Sequence, residues 1–175
     1  YSNKSAKVFP PIEFLEFIWS KDKYLETMHK KKVPITPTIT IEKLNHQRLL
    51  GAIQRKGWDE FIIKPVGGTI AVGVQNFFLK QCLKGPAPLI DYFTEHKDYY
   101  PKFLVQEKIK GFKKHGEIKM YWINGEYSYS VNTPGASKPG EDYNVKLVKD
   151  GKVLDECIKI GKKAINAIPK IKVGG

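Results

Sequence analysis

The stretch Glu117-Ile118-Lys119-Met120-Tyr121-Trp122-Ile123-Asn124-Gly125-Glu126-Tyr127-Ser128-Tyr129-Ser130-Val131 decides the fold. Asn124-Gly125 is a strong hairpin signal, because both central positions of a type I′ turn need positive φ. Two antiparallel strands, 117–123 and 126–131, follow. The register sets Trp122 opposite Tyr127, Met120 opposite Tyr129 and Ile118 opposite Val131, so that one face is apolar or aromatic. The other face then carries Glu117, Lys119, Ser128 and Ser130. Downstream come a polar loop, a strand over 143–147, a turn at Asp150-Gly151 and a helix over 153–167. That helix sets Leu154, Cys157, Ile158, Ala164, Ile165 and Ile168 at near-helical spacing. Upstream, Phe61-Ile62-Ile63-Lys64 reads as a buried strand stopped by Pro65, and further extended segments fall at 74–78 and 102–107. Helices are expected at 88–97 and at 46–56, the latter with Leu49, Leu50 and Ile53 inward. Two more, 12–19 with Phe14, Leu15 and Ile18 and 21–31 with Tyr24, Leu25 and Met28, precede Val33-Pro34-Ile35-Thr36-Pro37-Thr38. Its prolines remove donors and force extended geometry into 39–41. Strands and helices alternate without the rhythm of a doubly wound sheet, so the fold class is α+β with mixed or antiparallel sheets, in one compact domain or two small lobes sharing a cleft.

The formal charge is +12, from 30 basic and 18 acidic residues, a field that attracts polyanions. Arg48 and Arg55 are the only arginines. Base reading leans on arginine, so a nucleic-acid partner is disfavoured, although Tyr99, Tyr100, Trp122 and Tyr127 keep it as an alternative. No stretch approaches the roughly 20 apolar residues of a membrane helix, and the two cysteines, Cys82 and Cys157, each sit in an apolar segment. A soluble protein of the reduced, cytoplasmic interior of the cell, with no membrane partner, is the expectation. The four histidines show no ligand spacing, so no metal site is assigned.

Three stretches can carry chemistry. Lys64 ends an apolar strand, where desolvation strengthens its pull on phosphate, and a loop bearing Gly67, Gly68, Thr69 and Gly73 follows. Glycines let backbone amides approach phosphate oxygens closely. The order of lysine and glycines is not that of a Walker loop or a dinucleotide fingerprint, and a tight turn beside a surface lysine is the alternative. Next, Phe103-Leu104-Val105-Gln106-Glu107-Lys108-Ile109 is an apolar strand with a polar end, which can give an adenine ring a slot and a donor–acceptor pair or can simply be amphipathic. Last, Glu117 and Lys119 share a strand face, as a ribose and phosphate pair or as a solvent-facing charge pair.

Taken in order, these pieces resemble the ATP-grasp superfamily, especially its glutathione-synthetase-like and carboxylate-amine ligase members. The resemblance runs from Asp22-Lys23 and the Val33–Thr38 stretch through Ile63-Lys64-Pro65 with its glycine loop, Val105–Ile109, and Gly116-Glu117-Ile118-Lys119 into the hairpin. It implies ATP as cofactor, with Lys23 and Lys64 on the phosphates and the Gly67–Gly73 loop, including Gly68 and Thr69, closing over them. It further implies adenine contacts from Gln106, Glu107, Lys108 and Ile109, with Glu107 accepting from the amino group, and Glu117 on the ribose. Lys119 would be catalytic, beside phosphate or substrate. The family's reaction passes the γ-phosphoryl group to a carboxylate, and an amine or thiol attacks the resulting acylphosphate. Related enzymes hold magnesium with an Asp and a Glu-x-Asn on strands after the last helix; this sequence ends near where the first should begin. The resemblance therefore implies either a fragment lacking flanking domains or a non-catalytic nucleotide sensor. The expected division is 1–60, opening helices and first part of the grasp fold; 61–107, the small lobe with the glycine loop; and 108–175, the beginning of the C-terminal lobe.

Overall fold

In the computed structural model, residues 9–67, 71–133 and 144–170 are described. In chain order the elements are α1 (Ile12–Trp19), α2 (Lys21–Lys30), β1 (Thr38–Ile41), α3 (His46–Arg55), β2 (Glu60–Pro65), β3 (Gln75–Phe78), α4 (Leu79–Lys84), α5 (Ala87–His96), β4 (Phe103–Glu107), α6 (Gly111–His115), β5 (Glu117–Ile123), β6 (Glu126–Thr133), β7 (Lys146–Val148) and α7 (Lys152–Ala167). By their contacts they fall into two units: Tyr1–Leu25 with Thr36–Lys108, and Glu26–Ile35 with Ile109–Gly175.

The first unit holds a four-stranded antiparallel sheet in the order β1-β4-β2-β3. Along β2 the core takes Phe61, Ile63 and Pro65, while Glu60, Ile62 and Lys64 point to the opposite face. α3 presses Leu49, Leu50 and Ile53 onto the core face, as its 3–4 residue spacing requires. Asn45 caps this helix by accepting from the Arg48 N–H at 2.9 Å. α5 adds Leu89, Tyr92 and Phe93, and rings fill the interior: Phe61 stacks on Phe77 at 5.5 Å, and Phe93 meets Phe103 edge-on at 4.9 Å. Two short helices were not expected, α4, which buries Cys82, and α6. Each spans only one turn or two, too short for a hydrophobic period to register.

The second unit holds the antiparallel sheet β5-β6-β7. The turn forms where expected, with Asn124 at φ 50° and Gly125 at φ 82°, and Trp122 faces Tyr127. Beyond that rung the register differs from the sequence expectation. A bulge leaves Ser128 without an opposite residue, so Tyr121 pairs with Tyr129, Met120 with Ser130, Lys119 with Val131 and Ile118 with Asn132. A slip of one residue exchanges the faces. Tyr129 moves outward and stacks on Tyr121 at 4.5 Å, whereas Ser130 becomes fully buried and accepts from the Tyr127 hydroxyl at 3.0 Å. Downstream, β7 spans Lys146–Val148; Tyr143, placed in a strand by the sequence, lies outside the described residues.

α7 packs against β5 and β6 through Leu154, Gly161 and Ala167. A Cβ at Gly161 would stand 2.7 Å from the Trp122 ring and 2.9 Å from the Met120 methyl. This close approach explains a glycine inside a helix, where it costs ~1 kcal/mol in propensity. Gly161→Leu is expected to destabilise the second unit by roughly 1–3 kcal/mol through overpacking, read as a lowered midpoint in urea unfolding. An unchanged midpoint would show that the α7 contact is loose.

Candidate functional site: a two-lysine cavity

Lys64 leaves the sheet on the face opposite the core and enters a cavity of about 470 Å³ in the first unit. Lys21, Tyr24 and Trp19 line it from the α1–α2 region, and Gly67 and Val72 from the glycine-bearing segment. The described lining residues include two lysines and no carboxylate. Burial pushes the Lys64 ammonium below the ordinary lysine range, and the like charge of Lys21 pushes it further. Burial also lowers Lys21, whose Nζ donates to the Val66 carbonyl at 3.1 Å. Two ammonium groups in one partly buried cavity form a site whose electrostatics an anion would relieve.

The two ends of the glycine segment are held differently. Gly67 follows Lys64 by three residues on the cavity wall, while Gly73 sits at φ 71° against Pro65. A Cβ at Gly73 would stand 2.8 Å from Pro65 Cγ and 3.4 Å from the His96 ring. The Tyr92 hydroxyl donates to the Gly73 carbonyl at 2.6 Å, and the His96 ring stacks on Tyr92 at 4.4 Å. Burial, with Tyr100 and Glu95 nearby, pushes the Tyr92 phenol well above its usual range, so it remains a donor. The segment's exit is thereby fixed to the strand that carries Lys64. Gly68 and Thr69 lie outside the described residues.

Among the described residues, the α2 lysine lining this cavity is Lys21, whereas the sequence singles out Lys23. Lys21 and Tyr24 are three apart and share a helix face; Lys23, two residues from Lys21, is turned away by roughly 200° and is exposed. The Lys23 N–H donates to Asp22, whose carboxylate faces Lys102 at 3.6 Å. Helical spacing from Tyr24, already read as an inward residue, was the signal that pointed to Lys21.

At the end of β4, Gln106 is buried and donates from Nε2 to the Thr38 hydroxyl at 2.7 Å, tying β4 to β1. Glu107 is half-buried, and its N–H donates to the Pro37 carbonyl. The Lys108 N–H donates to the Glu60 carbonyl at 3.1 Å, and its ammonium pairs with the Glu60 carboxylate at 2.9 Å. Any ring-edge contact from the Lys108 backbone therefore falls to its carbonyl. Ile109 is half-exposed. In the second unit Glu117 and Lys119 stand on one face of β5, 3.6 Å apart and about half-exposed.

No protein-family model and no curated protein sequence matches the chain. Solved structures do. The fold is similar to that of the D-cycloserine synthetase DcsG, with a TM-score of 0.73 at 16% identity over 90% of this chain and 53% of that one. A D-alanine–D-alanine ligase from Bacillus anthracis complexed with ATP gives a TM-score of 0.63 at 16% identity, over 86% of this chain and 46% of that one. The ATP-grasp ligase PsnB, complexed with a minimal precursor, gives 0.59 at 13% identity, over 92% and 48%. The chain thus spans about half the length of the structures it matches. No described helix is long and apolar enough to cross a membrane. Two antiparallel sheets with their flanking helices, superposing on these ligases over most of the sequence, give the chain the ATP-grasp fold.

Proposed function

We propose that this chain is the ATP-binding portion of an ATP-dependent ligase that activates a carboxylate as an acylphosphate for attack by an amine or thiol. The observation that carries the reading is the cavity that brings the partly buried ammonium groups of Lys21 and Lys64 together beside a glycine-bearing segment. Phosphoryl transfer needs little covalent chemistry from the protein; positioning and charge neutralisation supply most of the rate. Partly buried ammonium groups suit that task, because they act where water screens them least. In this reading Lys64 and Lys21 hold the phosphates, and backbone amides of the glycine segment cover them. Glu107 and the Lys108 carbonyl meet the adenine edge; the resemblance alone assigns ribose hydroxyls to Glu117 and phosphate or substrate to Lys119. Magnesium enters through the resemblance alone. Among the described residues no three His, Cys, Asp or Glu side chains gather as a metal site.

The test is a calorimetric ATP titration. Lys64→Ala removes a charge-assisted contact of about 1.5–3 kcal/mol, so affinity should drop by roughly tenfold or more. Equal affinity of the variant and the parent would overturn the reading.

A further inference from the structure

The chain's only two arginines lie on one stripe of α3. Arg48 and Arg55, seven residues apart, both line a second cavity of about 530 Å³ between α3 and β1, in company with Thr40, Glu42, Lys43 and Ala52. Among the described residues neither guanidinium makes a hydrogen bond or an ion pair. Both side chains are exposed, and Glu42 is already paired with Lys102 at 3.1 Å. The lysine-rich remainder of the surface makes this placement informative, because guanidinium presents a fork that matches a carboxylate and ammonium does not.

The sheet supplies a second feature at the same place. β1 is an edge strand, paired only with β4 among the described residues. The Glu107 N–H reaches the Pro37 carbonyl, so alternate residues Ile39 and Ile41 also turn their peptide groups to β4, leaving those of Thr38 and Thr40 directed to the open edge. An exposed edge is a template for another extended chain. A strand added there would run beside the Arg48–Ala52–Arg55 stripe, with every second side chain turned to it.

We propose that the β1 edge and the Arg48–Arg55 stripe form a docking groove for an extended acidic peptide, which joins the sheet as a further strand. The arginine positions lie roughly 10 Å apart along the helix, and alternate side chains of a strand lie about 7 Å apart. Carboxylates four residues apart, with a small or apolar residue over Ala52 between them, fit within the reach of the two arginine side chains. The groove is separate from the two-lysine cavity, so its occupancy does not depend on the nucleotide reading.

The probe is fluorescein-labelled Glu-Thr-Val-Thr-Glu with blocked ends, titrated into the 175-residue chain by fluorescence anisotropy. Arg48→Gln/Arg55→Gln should bind it at least tenfold more weakly, while Lys84→Gln/Lys97→Gln, which removes the same charge from exposed positions of the same unit, should change affinity less than twofold. Equal loss in both double variants would reduce the effect to the chain's overall charge and overturn the proposal. Two further peptides carry N-methyl groups on one or the other alternate set of amides. Strand addition requires that one set abolish binding and the other spare it; an equal effect from both sets overturns it as well. Circular dichroism of Arg48→Gln/Arg55→Gln should match the parent, since both positions are exposed and glutamine is helix-compatible.

Discussion

Gly116→Ala is expected to destabilise the second unit by about 2–6 kcal/mol, the sum of a backbone penalty of roughly 1–3 kcal/mol and an overpacking cost of similar size. Gly116 sits at φ 76° and ψ −163°, a region essentially closed to residues with a Cβ. A Cβ there would stand 2.3 Å from the Thr133 carbonyl oxygen and 2.8 Å from Asn132 Oδ1. Backbone cannot rotate away as a side chain can. The Thr133 carbonyl belongs to the first rung of the hairpin ladder, where Glu117 pairs with Thr133, and Asn132 holds the preceding turn by donating to the His115 carbonyl at 3.0 Å. Relief of the clash must therefore open the end of the ribbon from which Glu117 projects. Gly125→Ala is the control, since φ is 82° there but nothing lies within 4 Å of the added carbon. It should cost about 1 kcal/mol, the left-handed penalty alone. Urea unfolding of both variants separates the two terms, and a Gly116→Ala loss no larger than the control's would remove the steric argument.

The same hairpin shows how far the sequence could be read. Asn124-Gly125 located the turn because positive φ at consecutive residues leaves few other residue choices, and the Trp122–Tyr127 rung followed from two-residue loop geometry. The bulge at Ser128 was not legible. Nothing in Tyr127-Ser128-Tyr129-Ser130 marks an unpaired residue, and alternating aromatic and hydroxyl side chains satisfy either register until packing chooses. In the fold the buried position is taken by Ser130, whose hydroxyl accepts from the Tyr127 hydroxyl, while Tyr129 lies outward on Tyr121. The helices α3 and α7 were legible for the opposite reason, since their apolar spacing admits one buried face, whereas β2 was legible as a continuous apolar run that did not tell its buried face, Phe61 and Ile63, from Ile62. Lys64 was legible as the polar end of an apolar strand. Its neighbour across the cavity was not named, because motif resemblance points to Lys23 while helix geometry turns Lys21 inward.

The charge relation between Lys21 and Lys64 yields the sharpest functional expectation. Replacing both by alanine should weaken ATP binding by two decades or more, twice the roughly 1.5 kcal/mol lower bound for a charge-assisted contact, whereas Lys23→Ala should cost far less. The pH dependence carries a further signature. Burial and Lys21 hold the Lys64 pKa below the usual 10.5, so on raising pH its ammonium loses its proton earlier than an ordinary lysine does. Its charge is complete below the depressed pKa and absent above it, so ATP affinity should fall as pH rises through that depressed value. Lys21→Ala removes the repulsive contribution and returns the Lys64 pKa toward 10.5, so in that variant the remaining affinity should persist to higher pH. Stability runs the opposite way. The unfolded chain binds more protons than the folded one between the depressed value and 10.5, so folding stability should rise with pH across that window. Titrations of ATP at a series of alkaline pH values, with parent and Lys21→Ala proteins in parallel, read the effect directly. Coincident profiles would mean that the two ammonium groups do not share one field, and the phosphate site would then have to be sought away from this cavity.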